Sequence, residues 1–290
     1  MIVAIASGKG GTGKTLVATG LARVARAAGW SEVHLVDCDV EEPNAHLFLR
    51  PQVTSSEEVT LPVPQVDGGL CDGCGRCAQV CAFHALAVVR GRVLAFPELC
   101  HGCGSCARQC PRAAIHEVPK HLGRVERGSA GDIHFAQGIL EVGEAMATPV
   151  IRQLKRTALS DISDAALALL DAPPGNACPV VETLRGSGFA LLVTEPTPFG
   201  LHDLQIAVQV ARDELGLPVG VVVNRDGVGD DGVDRFCASA NVPILLRIPF
   251  DRRIAEAYSV GTLWVDVLPE YREPLRSLLS ELKASCGVAP

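Results

Sequence analysis

The sequence has few aromatic residues and no excess of positive charge. Phe, Trp and Tyr make up 4% of the 290 residues, whereas hydrophobic residues as a whole make up 48%. A core of this composition must depend on Ala, Val, Leu and Ile, as parallel α/β sheets usually do. The formal net charge is −7. A general nucleic-acid-binding function is therefore disfavoured, because it requires a basic surface for the phosphates.

The sequence also lacks long apolar runs. No run reaches the roughly 18 residues of a transmembrane helix. The opening MIVAIA is too short for the apolar region of a secretory signal, and no basic region precedes it. We therefore expect a cytoplasmic protein with no membrane partner and no nucleic-acid partner.

Cysteine, in contrast, is abundant. The chain has 12 cysteines, and disulfides are rare in the cytoplasm, where thiols are kept reduced. Eight of them form two runs with the same spacing, C-x2-C-x2-C-x3-C, the second displaced from the first by 29 residues. The first run comprises Cys71, Cys74, Cys77 and Cys81, and the second comprises Cys100, Cys103, Cys106 and Cys110.

This spacing is that of bacterial ferredoxins with two [4Fe–4S] clusters, in which the fourth cysteine of each run ligates the other cluster. The pattern therefore predicts one cluster on Cys71, Cys74, Cys77 and Cys110, and a second on Cys81, Cys100, Cys103 and Cys106. A zinc site needs C-x2-C pairs separated by longer gaps, which does not explain a three-residue spacing that occurs twice. The other four cysteines stand apart from the runs: Cys38, Cys178, Cys237 and Cys286.

A glycine-rich segment near the start of the chain predicts a nucleotide site. Gly8-x4-Gly13-Lys14-Thr15 satisfies the P-loop rule, follows an apolar β-like run and precedes a helical pattern. In such a loop, backbone N–H groups surround the phosphates, the lysine neutralises them and the threonine hydroxyl ligates Mg²⁺. The expected nucleotide-binding residues of this segment are Gly8, Gly10, Gly11, Thr12, Gly13, Lys14, Thr15 and Leu16.

With Lys9, the motif reads K-G-G-T-G-K-T, which resembles the deviant Walker A motif of the MinD/ParA/Mrp ATPases. The resemblance covers about residues 1–50 and 120–290. It implies binding of ATP and Mg²⁺, ATP hydrolysis, and an ATP-dependent dimer in which Lys9 reaches the nucleotide of the opposite subunit. The dimer could form with a second copy or with a related ATPase.

The same resemblance implies roles for residues farther along the chain. Asp39 resembles the switch I aspartate that positions the attacking water, so Lys9, Lys14 and Asp39 form the expected catalytic set. Thr15, Asp37 and Asp171 would hold Mg²⁺, partly through water. Gly175 would belong to switch II and would move toward a bound γ-phosphate. Asn224, Pro249 and Asp251 match positions that surround the adenine.

Cys178 follows Asp171 by seven residues, similar to a cluster ligand of the nitrogenase iron protein. No cysteine matches the second ligand of that protein. In a dimer two copies of Cys178 could approach each other, but without the second ligand we favour a buried thiol at Cys178.

The order of apolar segments predicts an α/β fold with a doubly wound, mostly parallel sheet and a small inserted α+β ferredoxin-like domain. Residues 1–60 and 119–290 would form the P-loop ATPase domain, and 61–118 the insertion. Residues 50–66, rich in Pro, Ser, Thr and Glu, indicate a linker into the insertion. Gly123–Gly143 is expected to be a hairpin that returns the chain to the parent sheet.

These features favour an ATPase whose nucleotide-dependent dimerisation gates electron transfer from its own clusters to a redox partner. Assembly or delivery of an iron–sulfur or other metallocofactor to a partner protein is an alternative. Scaffolds of that kind carry a C-x2-C pair in the C-terminal half, which this sequence lacks. A further alternative is a MinD- or ParA-like positioning ATPase whose clusters sense the redox state.

Overall fold

The computed structural model describes residues 1–285; Cys286 therefore lies outside the described residues. The strands are β1 Ile2–Ala6, β2 Glu32–Asp37, β3 Gln52–Val66, β4 Leu86–Val89, β5 Arg92–Ala95, β6 Ile115–Ala130, β7 Ile133–Leu140, β8 Ala166–Asp171, β9 Phe189–Thr194, β10 Val219–Asp226 and β11 Ile244–Pro249. The helices are α1 Lys14–Ala25, α2 Ala45–Leu49, α3 Arg76–Val80, α4 Ser105–Arg108, α5 Ala147–Ala158, α6 Cys178–Leu184, α7 Pro198–Val208, α8 Gly232–Ser239, α9 Arg252–Ser259, α10 Trp264–Val267 and α11 Arg272–Ser285.

Within residues 1–285, nine strands form one sheet in the order β11-β10-β9-β1-β8-β2-β7-β6-β3. Every neighbouring pair from β11 to β7 is parallel, whereas β6 and β3 run antiparallel at one edge. The expectation of a doubly wound, mostly parallel sheet is confirmed.

A separate apolar core covers each face of the sheet. One contains the inner sides of α1 and α11, and the other contains those of α5, α6 and α7. Strand β1, and β8 as far as Leu170, carry continuous apolar residues because both of their faces are buried. Along the described residues 1–285, no helix combines the length and the apolar composition needed to cross a membrane.

The segment before the cysteines is a strand, so the prediction of a linker over residues 50–66 is wrong. β3 pairs with β6 over its whole length, from Gln52 opposite Ser129 to Val66 opposite Ile115. Its buried residues Val59, Leu61 and Val63 alternate along the strand, as expected for a strand with one buried face. The prolines that suggested a linker are tolerated because β3 is an edge strand.

The β3–β6 pair, here called the ribbon, extends beyond the rest of the sheet. β7 pairs with β6 only as far as Leu140, opposite Gly123. Residues 115–122 therefore continue past the carboxyl end of β7, at the same edge where β2 and β8 end at Asp37 and Asp171. The expected hairpin over residues 123–143 is present as β6 and β7. The proposed boundaries 60/61 and 118/119 both fall within the ribbon.

Residues 67–114, at the tip of the ribbon, contain both cysteine runs and are here called the module. The module has an internal pseudo-twofold arrangement. The pair Leu86 and Ala95 in the short β4–β5 hairpin corresponds, at an offset of 29, to the pair Ile115 and Val66 at the ribbon's end. Likewise the backbone N–H of Asp67 donates to the Ala114 carbonyl, and that of Phe96 donates to the Ala85 carbonyl, both at 2.8 Å. The sequence repeat is therefore also a repeat of backbone structure.

Candidate functional site

The glycine-rich loop joins β1 to α1 at the carboxyl edge of the sheet. Gly13 has φ 97°, a left-handed conformation that glycine adopts without strain, and α1 begins at the next residue. The Lys14 Nζ donates to the Ser7 hydroxyl at 3.0 Å and approaches the Lys9 carbonyl at 3.5 Å. Burial lowers the pKa of Lys14, and the nearby Asp171 and Asp39 oppose this effect.

Close packing behind the loop explains two of its glycines. A Cβ on Gly8 would lie 2.4 Å from the Asp203 Cβ on α7, and one on Gly13 would lie 2.4 Å from the Asn224 Nδ2. The Asn224 side chain points into the loop, where its Nδ2 donates to the Thr12 carbonyl at 2.7 Å. The loop is thus held between β1, α7 and β10.

Asp171 is the residue whose surroundings fit a bound cation best. It is buried at the end of β8, and neither carboxylate oxygen accepts a hydrogen bond of normal geometry. Burial raises the pKa of Asp171 well above its usual range, and the charge of Asp37 adds to this, whereas Thr15 and Lys14 lower it. A Mg²⁺ ion held by Thr15 and Asp171 would compensate this buried carboxylate, since Mg²⁺ prefers oxygen ligands.

Asp37 is already engaged in holding the segment that follows β2. Its Oδ1 accepts from the Asp39 backbone N–H at 3.1 Å, and its Oδ2 accepts from those of Asn44 and Ala45 at 3.0 Å. Full burial raises the pKa of Asp37 despite these donors. The structure thus gives Asp37 an anchoring role in addition to the predicted one near Mg²⁺.

Asp39, in contrast to Asp37, lines the cavity over the loop. Partial burial raises the pKa of Asp39 to about 6, and the positive charge of Lys14 opposes this shift.

A cavity of about 420 Å³ lies over the loop. Ten predicted residues line it: Gly10, Gly11, Gly13, Lys14, Thr15, Leu16, Asp39, Asn224, Pro249 and Asp251. Gly8 and Thr12 line a smaller cleft beside Asp203. Asp251 also caps α9, accepting from the Arg253 backbone N–H at 2.9 Å.

Several lining residues were missed by sequence reasoning: Glu42, Asn44, Pro174, Arg225, Phe250, Ile254, Ala255 and Tyr258. Phe250, just before α9, and Ile254 and Tyr258 within it recur at intervals of four, a helical spacing that could have identified this wall.

Gly175 lies beside the loop rather than in the large cavity. Its backbone N–H donates to the Ser7 carbonyl at 3.2 Å, and its φ is 96°. Movement at Gly175 would therefore break a direct contact between the segment after β8 and the phosphate-binding loop.

Lys9 is paired within its own subunit. Its Nζ lies 3.1 Å from an oxygen of Glu195, and the other oxygen of Glu195 lies 2.7 Å from Arg225. Glu195 is almost fully buried, whereas the side chains of Lys9 and Arg225 are 32% and 53% exposed. The prediction that Lys9 reaches a second subunit would require its release from Glu195, a partner that no sequence motif indicated.

The eight cysteines of the two runs gather into two separate clefts. Cys71, Cys74, Cys77 and Cys110 line one, and Cys81, Cys100, Cys103 and Cys106 line the other. Each cleft thus combines three cysteines of one run with the fourth of the other.

Backbone N–H groups point at the sulfurs in equivalent places. Those of Ala85 and Ala114 donate to the Cys81 and Cys110 Sγ atoms at 3.2 and 3.3 Å. Bonds of this kind tune the potential of a cluster. Each cleft thus offers four cysteine sulfurs and a backbone donor to one of them, a set of ligands that suits an iron–sulfur cluster.

The remaining described cysteines differ from one another. Cys38 and Cys237 are buried, whereas Cys178 is exposed at the first position of α6. The expectation of a buried thiol at Cys178 is therefore wrong. Cys178 is the first residue of α6, which follows the segment after β8, and its side chain is exposed at this position.

Comparison with known proteins identifies the family. Residues 3–264 match the family described as the CobQ/CobB/MinD/ParA nucleotide binding domain. The chain belongs to this family. It is accordingly a P-loop nucleotide-binding protein of the MinD/ParA type, and the resemblance drawn from K-G-G-T-G-K-T is confirmed at that level.

Two uncharacterized proteins of Methanocaldococcus jannaschii are similar to this family member along nearly their entire lengths. One is 30% identical over 262 residues, which are 90% of each chain. The other is 30% identical over 287 residues, or 98% of this chain and 96% of the relative. The second alignment is long enough to include the cysteine segment.

Solved structures with a similar fold include two archaeal MinD proteins. The septum site-determining protein MinD of Pyrococcus horikoshii, complexed with Mg-ADP, has a TM-score of 0.61 at 20% identity, covering 99% of this chain and 97% of that one. The cell division ATPase MinD of Pyrococcus furiosus has a TM-score of 0.58 at 21% identity, covering 98% of each chain. These similarities establish the fold of the ATPase part.

The packing behind the loop predicts the effect of Gly8→Ala. The new Cβ would overlap Asp203 on α7, and overpacking of this kind typically costs about 1–3 kcal/mol. If the loop moves to relieve the overlap, MgADP affinity should fall about 5- to 150-fold, as titration calorimetry would measure.

Gly188→Ala is the control for this substitution, because its Cβ would meet only the Ile2 carbonyl at 3.5 Å. Equal MgADP affinities of the two variants would contradict the packing argument.

Proposed function

We propose that this protein binds and hydrolyses ATP, carries two [4Fe–4S] clusters, and uses nucleotide-dependent dimerisation to gate electron transfer from them to a partner protein. The observation that supports this most is the sorting of the cysteines. The two clefts hold the crossed sets expected of a two-cluster ferredoxin, and they lie at the tip of a ribbon that continues the nucleotide-binding sheet.

In the proposed reaction, the P-loop orients the nucleotide, and two aspartates hold Mg²⁺ and position the attacking water. Lys14 neutralises phosphate charge, and Thr15 and Asp171 hold Mg²⁺. Asp39 orients the attacking water, a role that suits a carboxylate facing the γ-phosphate. Lys9 leaves Glu195 and contacts the nucleotide of the second subunit, which links phosphate occupancy to dimer formation.

The chain's residues also suit the clusters. The clefts are partly apolar, with Leu86 and Ile115 buried beside the cysteines, and they receive N–H donors from the backbone. When bound, each cluster would supply storage for one electron. The protein's own contribution is to fix the sulfurs, limit access of water and present exposed Cys74 and Cys103 near the surface, where a redox partner docks.

Crossed ligation predicts an unusual pattern of iron loss. Anaerobically reconstituted protein should hold about eight irons per chain. Cys71→Ser and Cys110→Ser should each leave about four, and so should the double variant, because both residues serve one cluster.

The matched comparison is Cys71→Ser combined with Cys81→Ser, two residues of the same run, which should lose both clusters. If this pair instead kept about four irons while the Cys71 and Cys110 pair lost all, each run would ligate its own cluster.

ATP gating predicts that the nucleotide changes the redox behaviour of the clusters. We expect the Asp39→Ala variant to accumulate in the ATP-bound state because hydrolysis is slowed. Its reduction potential, measured by anaerobic titration, should differ between MgATP and MgADP, since the module's surroundings change on dimerisation.

Lys14→Met is the control for nucleotide binding and should show no such difference. Identical potentials and reduction rates of the Asp39→Ala protein in both nucleotides would refute gating.

A further inference from the structure

We propose that α5 transmits the nucleotide state to the cluster module, with Lys155 as the positioning residue at its contact with switch II. The inference rests on the proposed function and names the path of its regulation. α5 follows β7 directly and contacts the ribbon, the switch I segment and the helix after switch II.

The contact with the ribbon has a polar and an apolar part. The Gln153 Nε2 donates to the Glu57 Oε1 of β3 at 2.8 Å. On the inner side, fully buried Val150, Ile151 and Leu154 belong to the same core as ribbon residues. These ribbon residues are Val59, Leu61, Val63, Leu122 and Val125. Displacement of α5 would therefore displace the base of the module.

The contact with switch I passes over a glycine of β7. A Cβ on Gly138 would lie 2.5 Å from Val40 and 3.1 Å from Val150, so these two valines meet above it. Val40 directly follows Asp39, and its carbonyl accepts from the Leu140 backbone N–H at 2.8 Å. A shift of Asp39 toward a γ-phosphate is thus felt by α5, because close-packed cores transmit strain.

The contact with switch II is made by the C-terminal end of α6. The Lys155 Nζ donates to the carbonyls of Glu182, Thr183 and Arg185 at 2.7, 2.8 and 2.5 Å. A cation on these last carbonyls also interacts favourably with the helix dipole. Arg152 adds a two-pronged pair with Glu182, at 3.0 and 3.1 Å.

α6 follows the segment that contains Gly175, which contacts the phosphate-binding loop through Ser7. Lys155 thereby holds one end of the unit that the nucleotide moves at the other end. The path from the nucleotide to the clusters runs through switch II, α6, α5 and the ribbon, and every step is a direct contact.

The test compares the nucleotide-dependent shift in cluster potential among variants of the cluster-loaded protein, each in the Asp39→Ala background. Lys155→Met removes three hydrogen bonds to α6 and should lose most of the shift. Its iron content and its potential without nucleotide should stay unchanged, because the hydrogen bonds of Lys155 go to α6 and its surroundings include none of the cysteines of the two runs.

Arg212→Met is the matched control. Arg212 also places a cation on the end of a helix, donating to the Ala240 carbonyl after α8 at 2.9 Å, but α8 does not follow a switch segment. This variant should keep the full shift. If Lys155→Met also keeps it, α5 does not transmit the signal, although ATP gating stands. If the shift is absent before Lys155 is changed, gating and the inference both fail.

A charge exchange covers the case in which Lys155→Met does not fold. Arg152→Glu and Glu182→Arg should each reduce the shift, because each places like charges together between α5 and α6. The double variant should restore it by re-forming the pair in reverse. A double variant that shifts no more than the single ones would overturn the proposal.

Discussion

The antiparallel pairing of β3 with β6 is the constraint on which the rest of the structure depends. It makes the cysteine module an extension of the nucleotide-binding sheet instead of a tethered domain. A flexible linker would let the module move independently of the ATPase. A two-stranded ribbon whose inner residues lie in the ATPase core leaves the module little freedom.

The nucleotide site itself brings three carboxyl groups together. Asp39 and Asp171 lie near Lys14, Asp37 lies near both of these aspartates, and burial raises the pKa values of all three carboxyl groups. An unpaired buried charge is costly, and Mg²⁺ with nucleotide phosphates would rearrange these groups by supplying new partners. Lys9 is paired with Glu195, and in the proposed dimer it would exchange this partner for phosphate. The partners of these groups would therefore differ with and without nucleotide.

Much of the fold and of the candidate sites was predictable because local sequence determines it. The P-loop, the strands that end at Asp37 and Asp171, and the two cysteine runs depend on spacing and periodicity along the chain. The ribbon was missed because Pro62 and Pro64 argue against a strand unless its place at the sheet edge is known. Glu195 and Lys155 were missed because their partners are far away in the sequence, and only packing brings them together.

The rigid attachment of the module to the sheet through the ribbon is tested most directly by a distance measurement. At the proposed Mg²⁺ site of Thr15 and Asp171, Mn²⁺ bound with ADP would replace Mg²⁺, since oxygen ligands suit both ions. Pulsed electron paramagnetic resonance would then give the distance from Mn²⁺ to the reduced cluster retained in Cys71→Ser protein. A single narrow distribution of distances is predicted, because the ribbon fixes the geometry. A broad distribution, as for a domain on a flexible tether, would contradict the account.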